Sequence, residues 1–125
     1  MRSEILMALV LACGTAHASD WVSVGKSGDG ATEGLVDVST IGITDGIRRA
    51  WIKMASVHHK SYTVERDAFN CEQFTIRWEA YTMYSEDGRA IPEAQPASFP
   101  DLWKPVPPDS MGGALMQFVC AWKPK

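Results

Sequence analysis

Proline is concentrated in one short part of this 125-residue chain. Six of its seven prolines fall within residues 92–108. Proline fixes its own φ angle and supplies no backbone N–H, so neither a helix nor an interior strand tolerates this density. We therefore predict an extended segment that crosses the rest of the fold, with regular structure confined to the residues before and after it.

The residues before the proline-rich segment alternate between apolar and polar side chains, which is the periodicity of a strand. The run 47–57 shows it on both faces, Ala50, Ile52 and Met54 against Arg49, Trp51 and Lys53. The run 74–81 repeats the pattern and predicts that Trp78 is buried and Glu79 is exposed. With shorter runs at 21–24, 34–38 and 62–69, we predict five or six antiparallel strands in a meander with one wet face.

Turn signals separate these runs. Asp45-Gly46 is a dipeptide typical of tight hairpins, and Ser39-Thr40 is predicted to close a short second strand with a turn. The charged residues of the later runs are interpreted as the solvated face of the sheet: Glu65, Asp67, Arg77 and Glu79.

The residues after the prolines predict a helix. Ser110 is a favourable N-cap, and Gln117 is the only strongly polar residue in the following run, 111–122. A helix that is apolar on nearly all sides is buried, here against the sheet. With 46% hydrophobic and 22% charged residues, the chain predicts one α+β domain, an antiparallel sheet of about six strands packed against one C-terminal helix.

The N-terminus has the order of a secretory signal peptide. A basic residue precedes eight apolar residues at 5–12, and Ala16-His17-Ala18 fits a signal-peptidase site. We interpret residues 1–18 as a signal peptide and residues 19–125 as the domain. The alternative is a lipoprotein box ending at Cys13, which would carry lipid and anchor the chain to a membrane. Both interpretations predict export.

Cys71 and Cys120 are the two cysteines that remain after the leader. In an oxidising compartment they have one intramolecular pairing, so we predict a disulfide. The alternatives are a buried pair of free thiols and a metal site, and a metal site needs more ligands than two distant cysteines supply.

Charge and motif content exclude several functional classes. The chain has twelve basic and fifteen acidic residues, for a net charge of -3. This balance argues against nucleic-acid binding, which depends on clustered Lys and Arg. The neighbours His58 and His59 would point to opposite faces of a strand and do not share a metal easily. We expect no nucleic-acid partner, no catalytic residues, no metal site and no cofactor.

Trp51 lies between Arg49 and Lys53 on the polar face of its predicted strand. An exposed aromatic flanked by cations is typical of a contact patch, since Trp and Arg often dominate binding energy. This makes Arg49, Trp51 and Lys53 the candidate binding residues. The other interpretation is a tryptophan covered by the proline-rich segment, with the Arg and Lys side chains lying over it.

Several segments resemble the surface-adhesin protein E family of Gram-negative bacteria. The matching landmarks are Asp20-Trp21-Val22, Val36-Asp37-Val38-Ser39-Thr40-Ile41, Trp51-Ile52, Cys71, and Trp103-Lys104-Pro105-Val106-Pro107-Pro108-Asp109-Ser110 running to Cys120. The resemblance covers almost all of residues 20–122. It implies a sheet of about six antiparallel strands on a C-terminal helix that a disulfide ties down.

The resemblance also implies a function. The best-known member of the family is a lipid-anchored adhesin that binds host matrix proteins and plasminogen, so we expect an exported, non-catalytic module that binds a host matrix or serum protein. No ligand-contacting motif matches, and no binding residue is transferred. The alternative is a periplasmic envelope protein with a housekeeping role that binds a small ligand or an envelope partner. A membrane partner is expected only if Cys13 is lipidated.

Overall fold

In the part of the chain that the structure describes, six antiparallel strands form one sheet whose spatial order follows the chain. A helix follows the last strand, and the predicted α+β meander is confirmed. The elements are β1 (Trp21–Lys26), β2 (Thr32–Thr44), β3 (Ile47–Ser56), β4 (Tyr62–Asn70), β5 (Thr75–Tyr84), β6 (Lys104–Pro105) and α1 (Met111–Ala121).

The computed structural model describes residues 18–92 and 102–124. Most of the predicted signal peptide and the lipidation candidate Cys13 lie outside the described residues, so cleavage and lipidation stay predictions. In the described ranges, no helix combines the length and the apolar character needed to cross a membrane.

The hairpin between β2 and β3 forms at Asp45-Gly46, as its sequence predicts. Both residues have positive φ angles, 52° and 76°, and Thr44 pairs directly with Ile47. Tight two-residue loops need this left-handed backbone because it matches the twist of the flanking strands, and Asp-Gly adopts it readily.

The second strand is longer than predicted, and the expected turn at Ser39-Thr40 is wrong. β2 continues to Thr44, and its pairing with β3 shifts between Asp37 and Gly42. Polar side chains satisfy the backbone across this irregularity. The Thr40 hydroxyl donates to the Asp37 carbonyl over 2.7 Å and accepts from the Trp51 N–H over 3.0 Å. The strand therefore bulges without ending.

The helix packs on one face of the sheet. The Ser110 hydroxyl accepts a hydrogen bond from the Gly113 N–H over 3.1 Å, which confirms the N-cap. The core joins the helix to β2, β3, β4 and the proline-rich segment through the buried residues Val36, Ala50, Ile52, Phe69, Val106, Leu115, Met116 and Val119. We call this face of the sheet the helix side.

The end of the helix is fixed by two links to the sheet. Cys120 forms a disulfide with Cys71, which follows β4, and the Cα atoms are 5.8 Å apart. Arg48 on β3 donates to the carbonyls of Val119 and Trp122 over 3.1 and 2.7 Å. The Val119 carbonyl also accepts from the Trp122 N–H over 3.3 Å. Carbonyls at a helix C-terminus have acceptor capacity left over, so a guanidinium is a suitable donor there.

The predicted burial pattern of β5 is wrong at its centre. Pairing of β4 with β5 shifts between Arg66 and Asp67, so Trp78 opposes Asp67 while Ala80 opposes Arg66. Glu79 is the extra residue of this bulge. Trp78 is 46% exposed, whereas the Glu79 side chain is only 23% exposed. A bulge adds one residue to a strand, so the expected alternation reverses from Ala80 onward. Trp78 precedes the extra residue and stays on the helix side with Ile76, and it is exposed there because α1 packs over β1 to β4.

Two of the four residues interpreted as solvated are buried. Glu65 opposes Ile52 and Asp67 opposes Ala50, and both carboxyls face the helix side. The cause is the cross-strand register, since directly opposed residues of an antiparallel pair point to the same side of a sheet. Interpreting Glu65 and Asp67 as solvent-exposed was therefore wrong.

Candidate functional site

The face of the sheet that points away from α1, here called the open face, carries a row of four residues in register. Trp21 opposes Asp37, Asp37 opposes Trp51, and Trp51 opposes Arg66. Their strand neighbours Val36 and Ile52 point into the core, so alternation places the row on the opposite side. The row brings the predicted residue Trp51 next to Asp37 and close to Trp21.

Lys53, the second predicted residue, lies two positions after Trp51 on the same face. Its Nζ atom is 4.6 Å from the ring centroid of Trp21 and 5.0 Å from that of Tyr62. Tyr62 in turn stacks on Tyr84, with centroids 4.8 Å apart and ring planes 14° from parallel. These cation–π and stacking contacts hold the aromatic side chains in fixed positions.

Arg49, the third predicted residue, belongs to a separate charge network. Its Nε atom bonds the Glu79 carboxylate at 2.8 Å, and Arg77 bonds the other oxygen of that carboxylate at 3.3 Å. The Arg77 guanidinium also lies 4.7 Å from the Trp103 ring centroid. Arg49 is thus positioned by Glu79, the extra residue of the β5 bulge. Sequence alternation predicts that Glu79 is exposed to solvent.

A concave groove of about 530 Å³ lies on the open face. It is lined by Ser19, Trp21, Asp37, Ser39, Thr40, Trp51, Val64, Thr82 and Tyr84. Of the three predicted residues only Trp51 lines it. Lys53 does not line the groove, but it contacts the ring of Trp21, which does. The groove combines aromatic rings, hydroxyls and one carboxylate, which suits recognition of a ligand with both apolar and hydrogen-bonding surfaces.

Trp51 is 36% exposed. Within residues 18–92 and 102–124 its ring has no stacking or cation–π contact, because Lys53 lies over Trp21 and Tyr62 and Arg49 pairs with Glu79. Arg49 and Lys53 therefore do not lie over Trp51, as the other interpretation expects. The proline-rich segment that this interpretation places over Trp51 falls largely on residues 93–101, which lie outside the described residues. The exposed ring is available for contact with a ligand.

Sequence reasoning identified Trp51 but not the other residues that line the groove, among them Trp21, Asp37 and Tyr84. It also missed Tyr62, which stacks on Tyr84. Alternation assigns each of them to one side of its own strand. It does not show that Trp21 and Trp51 lie on either side of Asp37, since that depends on the pairing of three strands. The available signal was the aromatic content of the predicted strands.

The largest pKa shift among the described residues lies on the helix side. Burial, and then the neighbouring charge of Glu65, raises the pKa of Asp67 to about 9. Burial also raises the pKa of Glu65. In the described part of the chain, no three His, Cys, Asp or Glu residues form a group able to hold a metal ion.

Comparison with known proteins identifies the family. The profile of the surface-adhesin protein E family matches residues 21–121. No significant match is found among curated proteins or among solved structures. The family implies an exported or surface protein of adhesin type that binds host proteins in general. Because the match spans the sheet and the helix and most of the sequence, this chain belongs to the surface-adhesin protein E family.

Proposed function

We propose that this chain is an exported, non-catalytic module that binds a host matrix or serum protein through its open face. The observation that carries the proposal is the position of Trp51, an exposed tryptophan in a concave groove on the face opposite the helix. Tryptophan is among the residues that most often dominate binding energy at protein interfaces. The match to an adhesin family supports the same function.

The surroundings of Trp51 support binding because they are already ordered. Lys53 lies between the Trp21 and Tyr62 rings, and Tyr62 stacks on Tyr84. Side chains fixed before association lose less conformational entropy when a partner binds. The open face therefore offers a preformed surface around one accessible ring.

Arg49 and Lys53 have different roles in this proposal. Arg49 is held by Glu79 at the side of the groove, and its side chain is 27% exposed, so it can meet an acidic group of the partner. Lys53 keeps Trp21 and Tyr62 in place and acts through them. Replacing Arg49 should weaken binding more strongly at low salt, since exposed charges are screened by ions.

The test is binding of the exported, oxidised protein to immobilised matrix and serum proteins. We expect saturable binding that Trp51→Ala weakens at least tenfold, with circular dichroism unchanged. Trp78→Ala is the matched control because Trp78 is also exposed but lies on the helix side, and it should bind like the parent protein. Absence of binding to every host protein, together with protection from protease on intact cells, would favour the periplasmic alternative.

Export itself is part of the proposal. We place the cleavage site after Ala18, which leaves Ser19 at the start of the exported protein. The intact mass of protein recovered from the cell envelope measures this directly. A chain that begins at Cys13 and carries the added mass of lipid would instead establish a membrane anchor.

A further inference from the structure

Two tryptophans lie on either side of one buried carboxylate on the open face. Trp21, Asp37 and Trp51 pair directly across β1, β2 and β3. Neighbouring strands lie about 4.8 Å apart, so the two tryptophan backbones are roughly 10 Å from each other with Asp37 midway. All three residues line the groove of about 530 Å³.

The hydrogen bonds from described residues to the Asp37 carboxylate all use one of its two oxygens, Oδ1. Asp37 is only 4% exposed, and its Oδ1 atom accepts hydrogen bonds from the N–H groups of Asp20 and Ser39 at 3.0 and 3.1 Å and from the Ser39 hydroxyl. No described residue donates to Oδ2. Oδ2 is not among the fully buried oxygens that lack a partner, so it keeps access to solvent. A ligand hydroxyl can therefore reach it and donate a hydrogen bond.

The groove matches the two kinds of surface that a sugar ring presents. A pyranose has an apolar C–H face, which packs on an aromatic ring, and a rim of hydroxyls, which donate to acceptors. Trp51 supplies an exposed ring, and Asp37 supplies a carboxylate oxygen one strand away. Hydrogen bonds from hydroxyls to a carboxylate are stronger than those between neutral groups.

The negative charge of Asp37 in the groove favours neutral sugars over acidic ones. Among the described residues that line the groove, Asp37 alone is charged. Two cations lie outside the lining on the same face: Lys53, held between the Trp21 and Tyr62 rings, and Arg66, which opposes Trp51. A carboxylate or sulfate group of an acidic sugar would meet the Asp37 carboxylate, and like charges at close range are unfavourable. The hydroxyls of a neutral sugar meet no such repulsion.

We infer that the groove binds a neutral oligosaccharide, with a sugar ring on Trp51 and a sugar hydroxyl on Asp37 Oδ2. This inference rests on the proposed function, because it names the glycan chain of a host glycoprotein as the part that the open face recognises. It goes further by committing to the ligand chemistry and by giving Asp37 a binding role.

The experiment titrates three hexasaccharides into the exported, oxidised protein by calorimetry: a glucose hexamer, an N-acetylglucosamine hexamer and a heparin hexamer. We expect saturable binding of at least one neutral hexamer and weaker binding of the heparin hexamer. Trp51→Ala should reduce the affinity at least tenfold, while the control Trp78→Ala should leave it unchanged. Asp37→Asn should also reduce it at least tenfold, because Asn keeps the Oδ1 acceptor and replaces Oδ2 with a donor.

A second arm separates this inference from the proposed function. Host matrix proteins are immobilised before and after enzymatic removal of their glycans. Equal binding to both forms, with no binding of free hexasaccharides, would overturn the inference and leave the proposed function in place. Binding of a neutral hexamer without binding of any host protein would overturn the proposed function and leave the assignment of the groove to a neutral sugar in place. Tighter binding of the heparin hexamer would overturn the assignment to neutral sugars.

Discussion

Asp67 follows Glu65 by two residues on β4, and both carboxyls are buried on the helix side of the sheet. Neither oxygen of Asp67 accepts a hydrogen bond from a described residue. Burial and the charge of Glu65 raise the pKa of Asp67 to about 9. At neutral pH Asp67 therefore keeps its proton, which it can donate to Glu65. The pair resembles other close carboxyls that cannot both ionise.

This pair predicts that stability falls as the pH rises. In the unfolded chain an aspartate releases its proton near its ordinary pKa of 3.8, whereas folded Asp67 keeps it up to about pH 9. Between these values the folded state binds more protons, so the free energy of unfolding decreases with pH and is highest at the acidic end. Urea unfolding at a series of pH values measures the slope.

Asp67→Asn should flatten that slope and raise the free energy of unfolding at pH 8 relative to the parent protein. Asparagine retains the shape of the protonated acid and never acquires a buried charge. The control is Asp109→Asn, a change at an exposed carboxyl, which should leave the slope as it is. A parent protein that becomes more stable from pH 5 to pH 8 would contradict this account of Asp67.

The disulfide predicts a large loss of stability in the Cys71→Ser/Cys120→Ser variant. The bond joins residues 49 positions apart, and removing a native disulfide from a small exported domain costs about 2–5 kcal/mol. Since the bond ties the last turn of α1 to the end of β4, amides of α1 should also exchange with solvent faster. Intact mass before and after reduction checks the pairing, and two alkylatable thiols in unreduced protein would exclude it.

Gly113→Ala should destabilise the protein by about 1–3 kcal/mol, as overpacking does. A Cβ atom at Gly113 would lie 2.5 Å from the Pro107 carbonyl oxygen and 2.6 Å from that of Pro108. This outcome opposes the ordinary preference of a helix for alanine over glycine, which is about 1 kcal/mol. Thermal unfolding measures the change. Gly28→Ala, which meets no atom within 4 Å, should shift stability by no more than about 0.5 kcal/mol.

Phe69 and Trp78 should respond oppositely to truncation despite their similar chemistry. Phe69 is fully buried in the core, so Phe69→Ala should cost about 3–5 kcal/mol. Trp78 is half exposed, and the Lys104 Nζ atom lies 4.9 Å from its ring centroid. Trp78→Ala should cost much less than Phe69→Ala in the same urea titration. Equal losses would mean that the Trp78 side chain is as buried as that of Phe69.

The class of fold and the local turn and cap signals follow from the amino-acid pattern alone. Alternation in the run 47–57 correctly separates Ala50 and Ile52 from Trp51, because period two fixes which residues of one strand share a side. Asp45-Gly46 forms its hairpin and Ser110 caps its helix, since both depend on a few neighbouring atoms. The prolines confine the helix to the end of the chain.

Which side of each strand faces the helix depends on long-range strand pairing and packing. On β4 the apolar residues Tyr62 and Val64 lie on the open face and the charged residues Glu65 and Asp67 face the core, the reverse of what their chemistry suggests. Trp78 is exposed although it lies on the helix side, because α1 packs over β1 to β4. Cross-strand register and bulges join residues that are far apart in sequence, and no local period encodes them. The same register places Asp37 between Trp21 and Trp51, and so creates the candidate site.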